Sequence, residues 1–240
     1  MGTLQRPIVT APFYVSFLLS GVLVQPVWAG ETEAHQTRHA IAIQRAGAAV
    51  AGQSEPSPSS LVGLGDALLR GGRCTEAVEN FERAIKRSPD SEPYLWQYGI
   101  ALFFVGRYDD ARALFEKHRV VNPHDVENAA WHFLCVAKAD GIEKARRILL
   151  PAPGDSRVPM EAVLQRLPGG DFEAIGEAME KTRGTPAYAS AQFYGDLYIA
   201  LIADAEGKPL IAREHLQKAS SAKLTHYMAD VARVYASQAK

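Results

Sequence analysis

Apolar and small side chains recur along this chain with a period of thirty-four residues. When one unit is counted from Pro58 and the next from Glu92, large apolar residues, glycine, alanine and proline fall at the same offsets in both. The matched pairs are Leu61/Leu95, Leu64/Tyr98, Gly65/Gly99, Leu68/Leu102, Gly72/Gly106, Ala77/Ala111, Phe81/Phe115 and Pro89/Pro123. A repeat of this period is typical of helical solenoids, so the pattern predicts an all-α fold of antiparallel helix pairs.

The same pattern predicts where the helices of this repeat array begin and end. Gly72 and Gly106 mark the turns inside the two firm units, because left-handed backbone angles cost glycine little. A third unit is degenerate but stays in register, with Ala145 at the small contact position. The array over residues 58–150 is therefore predicted to contain helices at 58–71, 74–87, 92–105, 108–121, 126–139 and 141–150.

The region from residue 151 to residue 240 is predicted to be helical and repeat-like but divergent. The sequence Pro151-Ala-Pro-Gly154 interrupts the array, and Gly207 stands at the turn of a last helix pair. The predicted helices cover residues 159–167, 171–182, 187–206, 209–221 and 224–238. We expect the last of these helices to cap the stack.

The N-terminus has the pattern of an export signal. Arg6 is the only charged side chain before Glu31, and the apolar run ends in Val27-Trp28-Ala29, which suits a signal peptidase. Residues 1–29 are therefore predicted to be a signal peptide, and the protein to be periplasmic or extracellular. An uncleaved membrane anchor is the alternative, because about 20 apolar residues suffice to cross a bilayer. No cysteine directly follows the run, so no lipid anchor is expected.

Residues 30–57 are predicted to be a flexible, partly helical linker between the signal and the array. Their C-terminal part is rich in serine and proline, which do not support a packed element. The alanine-rich stretch at 34–50 is predicted to form a short, loosely amphipathic helix.

The repeated residues resemble the signature of the tetratricopeptide repeat family, with Leu61 and Leu95 where that family often has tryptophan. His118 is a departure, because its counterpart Ala84 is the expected small residue. The export signal, the interrupted array and the segment 193–198 together resemble the periplasmic NlpI-type tetratricopeptide proteins. That resemblance implies an all-helical adaptor, often a homodimer, that brings cell-wall hydrolases to a processing protease. The lipoprotein cysteine of those proteins is missing here.

Composition argues against several other classes of protein. The formal net charge is −1, which gives no support for nucleic acid binding. Cys74 and Cys135 are far apart in the sequence and are predicted to pack as two free, small apolar side chains. His35 and His39 have the spacing of helical zinc ligands but lack the glutamate of a metalloprotease, and the other histidines are isolated. We therefore predict solvated or helix-terminal histidines and no metal site.

No catalytic or cofactor motif is accompanied by the other residues and elements that its chemistry requires. Gly63-Leu-Gly65 lacks both the third glycine and the preceding strand of a dinucleotide loop, so Gly65 is better explained by close helix contact. The Ser220-x-x-Lys223 spacing lacks the companion motifs of serine acyl-enzymes. We expect no catalytic residues, no cofactor and no enzyme activity. A small hydrolase with its site near 151–171 is the less favoured alternative, because that segment holds a single serine and neither histidine nor cysteine.

The concave face of the array is the predicted binding surface for a protein or peptide. Its candidate partner-binding residues are Arg70, Trp96, Ile100, Phe103, Phe104, Trp131 and Lys138. Basic residues are few, so the face lacks the carboxylate clamp found in some tetratricopeptide domains, and its aromatic stripe would suit an apolar helix. The alternative is that the C-terminal helices, or the segment around Ile41 and Ile43, fill the groove, because monomers rarely leave large apolar patches bare.

The leading interpretation is a non-enzymatic, extracytoplasmic scaffold or adaptor in cell-envelope maintenance. A structural subunit of an envelope assembly complex is the alternative from another class, since it would use the solenoid for assembly alone. Light scattering would separate that subunit from a monomeric adaptor.

Overall fold

The computed structural model describes residues 28–239, with side chains from residue 33 onward. Over this range the chain forms α-helices and one 3-10 helix and no strand, which confirms the predicted all-α fold. The α-helices are α1 (Trp28–Ala51), α2 (Pro58–Arg70), α3 (Cys74–Arg87), α4 (Trp96–Phe104), α5 (Tyr108–Val121), α6 (Val126–Asp140), α7 (Ile142–Arg147), α8 (Met160–Arg166), α9 (Glu173–Glu180), α10 (Tyr188–Ala205), α11 (Pro209–Ser220) and α12 (Tyr227–Gln238). Residues 1–27, which hold nearly all of the predicted signal peptide, lie outside the described range.

Three consecutive helix pairs form the solenoid: α2 with α3, α4 with α5, and α6 with the short α7. The observed ends agree closely with prediction for α2, α3, α5 and α6. The prediction of a helix from residue 92 is wrong, because a 3-10 helix (Pro89–Tyr94) precedes α4. Pro93 lies inside that segment and has no backbone N–H for an α-helical hydrogen bond. The helix predicted at 141–150 also ends early, because α7 stops at Arg147.

Close helix contact at the repeated glycines holds each pair together. A methyl group placed on Gly99 would lie 2.7 Å from Cζ of Phe115, and one on Gly65 would lie 3.0 Å from Phe81. Gly63, two residues before Gly65 on the same helix, has nothing within 4 Å of such a methyl group. The sequence interpretation of Gly65 as a packing residue therefore agrees with its surroundings.

Gly99→Ala is expected to lower the free energy of unfolding by about 1–3 kcal/mol, because the methyl group would overpack the contact with Phe115. Gly63→Ala is the matched control and is expected to raise it by about 0.5–1 kcal/mol through helix propensity. Urea denaturation followed by circular dichroism measures both. Equal effects of the two substitutions would contradict this account of the helix contact.

The N-terminal segment contains the helix predicted at residues 34–50, in a longer form. Its first part is α1, a helix of 24 residues whose last turns pack on the first repeat. Val50 is buried against Leu61 and Ala84, and Ile43 lies over Gly71. Alanine-rich sequences favour helix, and these apolar contacts hold the helix in place. None of the helices described from residue 28 to residue 239 is long and apolar enough to cross a bilayer.

A buried ionic cluster joins the divergent C-terminal half to the third repeat. Arg166 is almost fully buried, donates to Glu206 at 2.7 Å, and stacks over the ring of Phe172 at 4.3 Å. Arg146 of the short α7 donates to the same carboxylate at 2.8 Å. Burial alone would raise the pKa of Glu206, but hydrogen bonds from Arg166 and Lys208 outweigh it and hold that pKa at about 2. The cluster fixes α8 against α7 and the end of α10.

Candidate functional site: the groove and the helix that fills it

The last helix does not cap the stack as predicted, because α12 lies along the concave face. At its first residue, the ring of Tyr227 meets the ring of Trp96 edge-on at 4.8 Å between centroids. Arg70 lies 5.3 Å above the centre of the same tyrosine ring. The Tyr227 hydroxyl donates to Oδ1 of Asp66 at 3.1 Å. Two repeat units therefore hold the start of α12 through one tyrosine.

The middle of α12 is its most buried part. Met228, Val231 and Val234 are all at most 5% exposed. On the array side, Ile100 is 1% and Trp131 is 2% exposed. These low values mean that these side chains are packed as in a protein core.

The far end of α12 is held by a second tyrosine. The ring of Tyr235 stacks on Phe103 at 6.3 Å and meets Phe104 edge-on at 6.0 Å. Its hydroxyl donates to Oδ2 of Asp204, on α10, at 2.7 Å. Lys138 donates to the same carboxylate oxygen at 2.7 Å. The aromatic stripe thus continues directly into the C-terminal helices.

All seven predicted partner-binding residues lie at this face, but they do not form an open stripe. Six of them contact α12 or line the cavity beside it, and Lys138 is paired with Asp204. The sequence left two alternatives, a groove open to a partner and a groove filled by the chain itself, and the structure has the second. The segment that fills the groove is α12 and not the residues around Ile41 and Ile43. A partner-binding role for the seven residues stays a prediction.

A buried carboxylate, which the sequence interpretation missed, locks α12 to the first repeat. Asp230 is fully buried and accepts hydrogen bonds from Arg38, from Nε of Arg70 at 2.8 Å and from Arg233 at 3.1 Å. Nε2 of His39 lies 3.2 Å from the same carboxylate. Burial would raise the pKa of Asp230, but the hydrogen bonds from His39 and Arg70 prevail and hold it at about 2. The sequence signal was an acid in the first turn of α12, beside the apolar positions Tyr227, Val231 and Val234.

The prediction of solvated or helix-terminal histidines is wrong for His39 and His132, which are buried inside α1 and α6, whereas His118 lies in the last turn of α5 and His124 is exposed. His118 is buried as well, and its Nδ1 lies 2.8 Å from a backbone carbonyl oxygen of Pro93. The ligand atoms of His35, His39 and Asp230 lie within 4.8 Å of one another, which is close enough for a metal ion. Three guanidinium groups already occupy the Asp230 carboxylate, however, so a cation would meet strong charge repulsion there.

Beside α12 the groove keeps a cavity of about 180 Å³ between the second and third repeats. Its lining residues are Trp96, Ile100, Phe115, Asp125, Glu127, Asn128, Trp131, Arg157 and Met228. Glu127 accepts hydrogen bonds from Arg157 and from the Tyr198 hydroxyl, the latter at 2.8 Å. Burial raises the pKa of Glu127 to about 7 against the opposing charge of Arg157. Small-molecule sites usually measure about 300–1,000 Å³, so this volume suits one side chain.

The two cysteines are free and buried, as the sequence predicts. Burial raises the pKa of the Cys74 thiol to about 11, so this thiol is protonated and unreactive at neutral pH. Its sulfur lies 3.6 Å from Nε2 of Gln238, at the end of α12. Cys74 therefore contacts the C-terminal end of α12.

Asp66→Asn is expected to stabilise the protein at pH 8 by about 1–2 kcal/mol, after allowance for partial exposure. Burial raises the pKa of Asp66 from its ordinary value of 3.8 to about 6, so the folded state keeps the ionised form at a cost above pH 6. That cost disappears as the pH falls towards 4, and the advantage of asparagine should disappear with it. Urea denaturation at pH 8 and pH 4 measures this. Glu79→Gln, at an exposed site on α3, is the control, and a pH-independent effect of Asp66→Asn would contradict the assignment.

Comparison with known families agrees with the architecture. The tetratricopeptide repeat family matches this chain twice, over residues 29–93 and 62–126. The first match begins ahead of residue 58, so it includes α1 as well as the first helix pair. No curated protein matches the chain. Repeats of this family act as scaffolds for protein–protein interaction, and residues 29–126 of this protein match the family's repeats.

Proposed function

We propose that this protein is an exported, non-enzymatic adaptor that binds a partner protein in the cell envelope. The observation that carries the proposal is the tetratricopeptide repeat region, whose concave face is aromatic and holds a helix, α12. Export is supported by the uncharged run between Arg6 and Glu31 and by the small residues that end it.

The adaptor has no lipid anchor, because no cysteine directly follows the apolar run. Its association into a homodimer is supported only by the resemblance to NlpI-type proteins, and light scattering of the purified chain tests it directly. A mass of one chain in solution would remove the dimer from the proposal and leave the adaptor in place.

Fractionation of cells that produce the chain with a C-terminal tag tests export. The tagged protein is expected outside the cytoplasm, with a mass that shows the loss of residues 1–29. Leu18→Arg with Leu19→Arg, which interrupts the apolar run, is the matched control and should keep the chain in the cytoplasm. Full-length protein in the membrane fraction would support the uncleaved anchor, and wild-type protein in the cytoplasm would overturn the extracytoplasmic proposal.

Cross-linking in those cells, followed by affinity capture, tests the adaptor role. The expected result is one or more envelope proteins enriched over a capture from the Leu18→Arg, Leu19→Arg cells. Failure to enrich any protein from the envelope fraction would count against an adaptor.

A further inference from the structure

We propose that α12 is an internal ligand of the groove, and that the partner displaces it with a helix bearing a tyrosine, an acidic residue three positions later and a second tyrosine five positions after that. This inference deepens the proposed function and rests on it. The spacing is that of Tyr227, Asp230 and Tyr235, the three residues through which α12 is held.

The charge of the groove without α12 argues for an acidic partner helix. Arg38 and Arg70 both point their guanidinium groups at Asp230, and His39 lies beside them. When α12 leaves, Asp66 is the acid that remains near Arg70. The face of the first repeat is then left with excess positive charge, which a carboxylate on an incoming helix would neutralise.

The two ends of the groove both select a phenol over a plain aromatic ring. Asp66 accepts the hydroxyl of Tyr227 beside the ring of Trp96. At the other end, Asp204 accepts the hydroxyl of Tyr235 beside the rings of the second repeat. Eight helical positions correspond to a rise of about 12 Å, so a rigid helix can satisfy both acceptors at once. A phenylalanine at the first end would leave the Asp66 carboxylate without its hydroxyl donor, and one at the second end would leave Asp204 with Lys138 as its remaining donor.

The position of α12 in the chain makes its release possible. It is the last described helix, and residues 221–226 join it to α11. The two helices of each of the first two pairs contact each other directly, as Gly65 contacts Phe81 and Gly99 contacts Phe115, without α12 between them. Release of α12 is therefore a local opening that leaves those pairs in contact.

Fluorescence anisotropy with a labelled peptide of residues 225–239 tests this proposal on the full chain. Tyr227→Ala weakens the internal helix and keeps the groove residues, so the peptide is expected to bind this variant at least about 10-fold more tightly than it binds the wild type. Ser237→Ala changes an exposed position of α12 and should bind the peptide as the wild type does. A peptide with asparagine at the position of Asp230 should bind the Tyr227→Ala chain at least about 10-fold more weakly.

Three results would overturn the inference. They are equal peptide binding by the wild type and Tyr227→Ala, equal binding of the acidic and asparagine peptides, and loss of cooperative unfolding in Tyr227→Ala, which would make α12 a permanent part of the core.

The outcome of this peptide experiment is separable from the outcome of the capture experiment that tests the proposed function. If the peptide fails but envelope proteins are still captured, the adaptor stands and binds its partner elsewhere. If nothing is captured but the peptide binds, the groove has the proposed chemistry and the adaptor role fails.

Discussion

Trp131→Ala is expected to lower the free energy of unfolding by about 3–5 kcal/mol, the largest loss predicted for any groove residue. The indole is 2% exposed and packs edge-on against Phe103 at 5.3 Å and against Phe104 at 6.3 Å. Truncation would leave a cavity between the array and the C-terminal helices. The loss comes from packing, because the indole N–H has no hydrogen-bond partner within residues 28–239. Urea denaturation followed by circular dichroism measures the change.

Trp96→Ala is the matched control for this prediction. Trp96 lies on the same face of the preceding repeat but is only partly buried, so its removal should cost clearly less than that of Trp131. An open groove would expose both indoles and give both substitutions small effects of similar size. That outcome would contradict the packing described here.

Asp230→Ala is expected to lower the free energy of unfolding by about 2–3 kcal/mol at pH 7. Removing one partner from a buried ionic cluster typically costs about 3–5 kcal/mol, because the remaining charges lose their compensation. The figure is reduced here because the side chains of Arg38 and Arg70 are 35% and 33% exposed, so water can solvate them. Glu55→Ala removes a carboxylate whose side chain is 84% exposed and should change stability by less than about 1 kcal/mol.

The effect of Asp230→Ala should also depend on pH in a stated direction. The folded protein holds the pKa of Asp230 at about 2, below its ordinary value of 3.8, so its contribution is complete above pH 4. That contribution is lost as the pH falls towards 2, where wild type and Asp230→Ala should become equally stable. Denaturation curves at pH 7, 4 and 2.5 measure the convergence. A constant difference between the two proteins across this range would contradict the ionic assignment.

The helices of the array could be predicted from the sequence because their determinants are local. Glycine at the turns and small residues such as Ala77 and Ala111 at the contacts fix each helix pair within about thirty residues. The helix predicted from residue 92 is wrong near Pro93, where a 3-10 helix replaces the first turns of α4. The repeat pattern predicted where the second unit begins, but Pro93 changes the type of helix in its first turns.

The position of α12 could not be predicted, because a helical stripe does not identify its own partner. Tyr227, Val231, Val234 and Tyr235 would bury equally well at the end of the stack or inside the groove. The choice between the two depends on contacts across more than 150 residues, such as that of Arg70 with Asp230. Periodicity holds no information at that range. For the same reason the sequence predicted which residues lie on the face of the groove but not how far solvent reaches them.

Hydrogen–deuterium exchange of the α12 amides tests most directly the central claim that this protein closes its own groove with α12. The account predicts that amides of residues 229–235 in the intact chain exchange at least about 100-fold more slowly than in the free 225–239 peptide. It also predicts that they exchange faster than those of α6, because α12 opens locally before the array unfolds. Exchange of the α12 amides at the rate of the free peptide would contradict the account, since the groove would then be open.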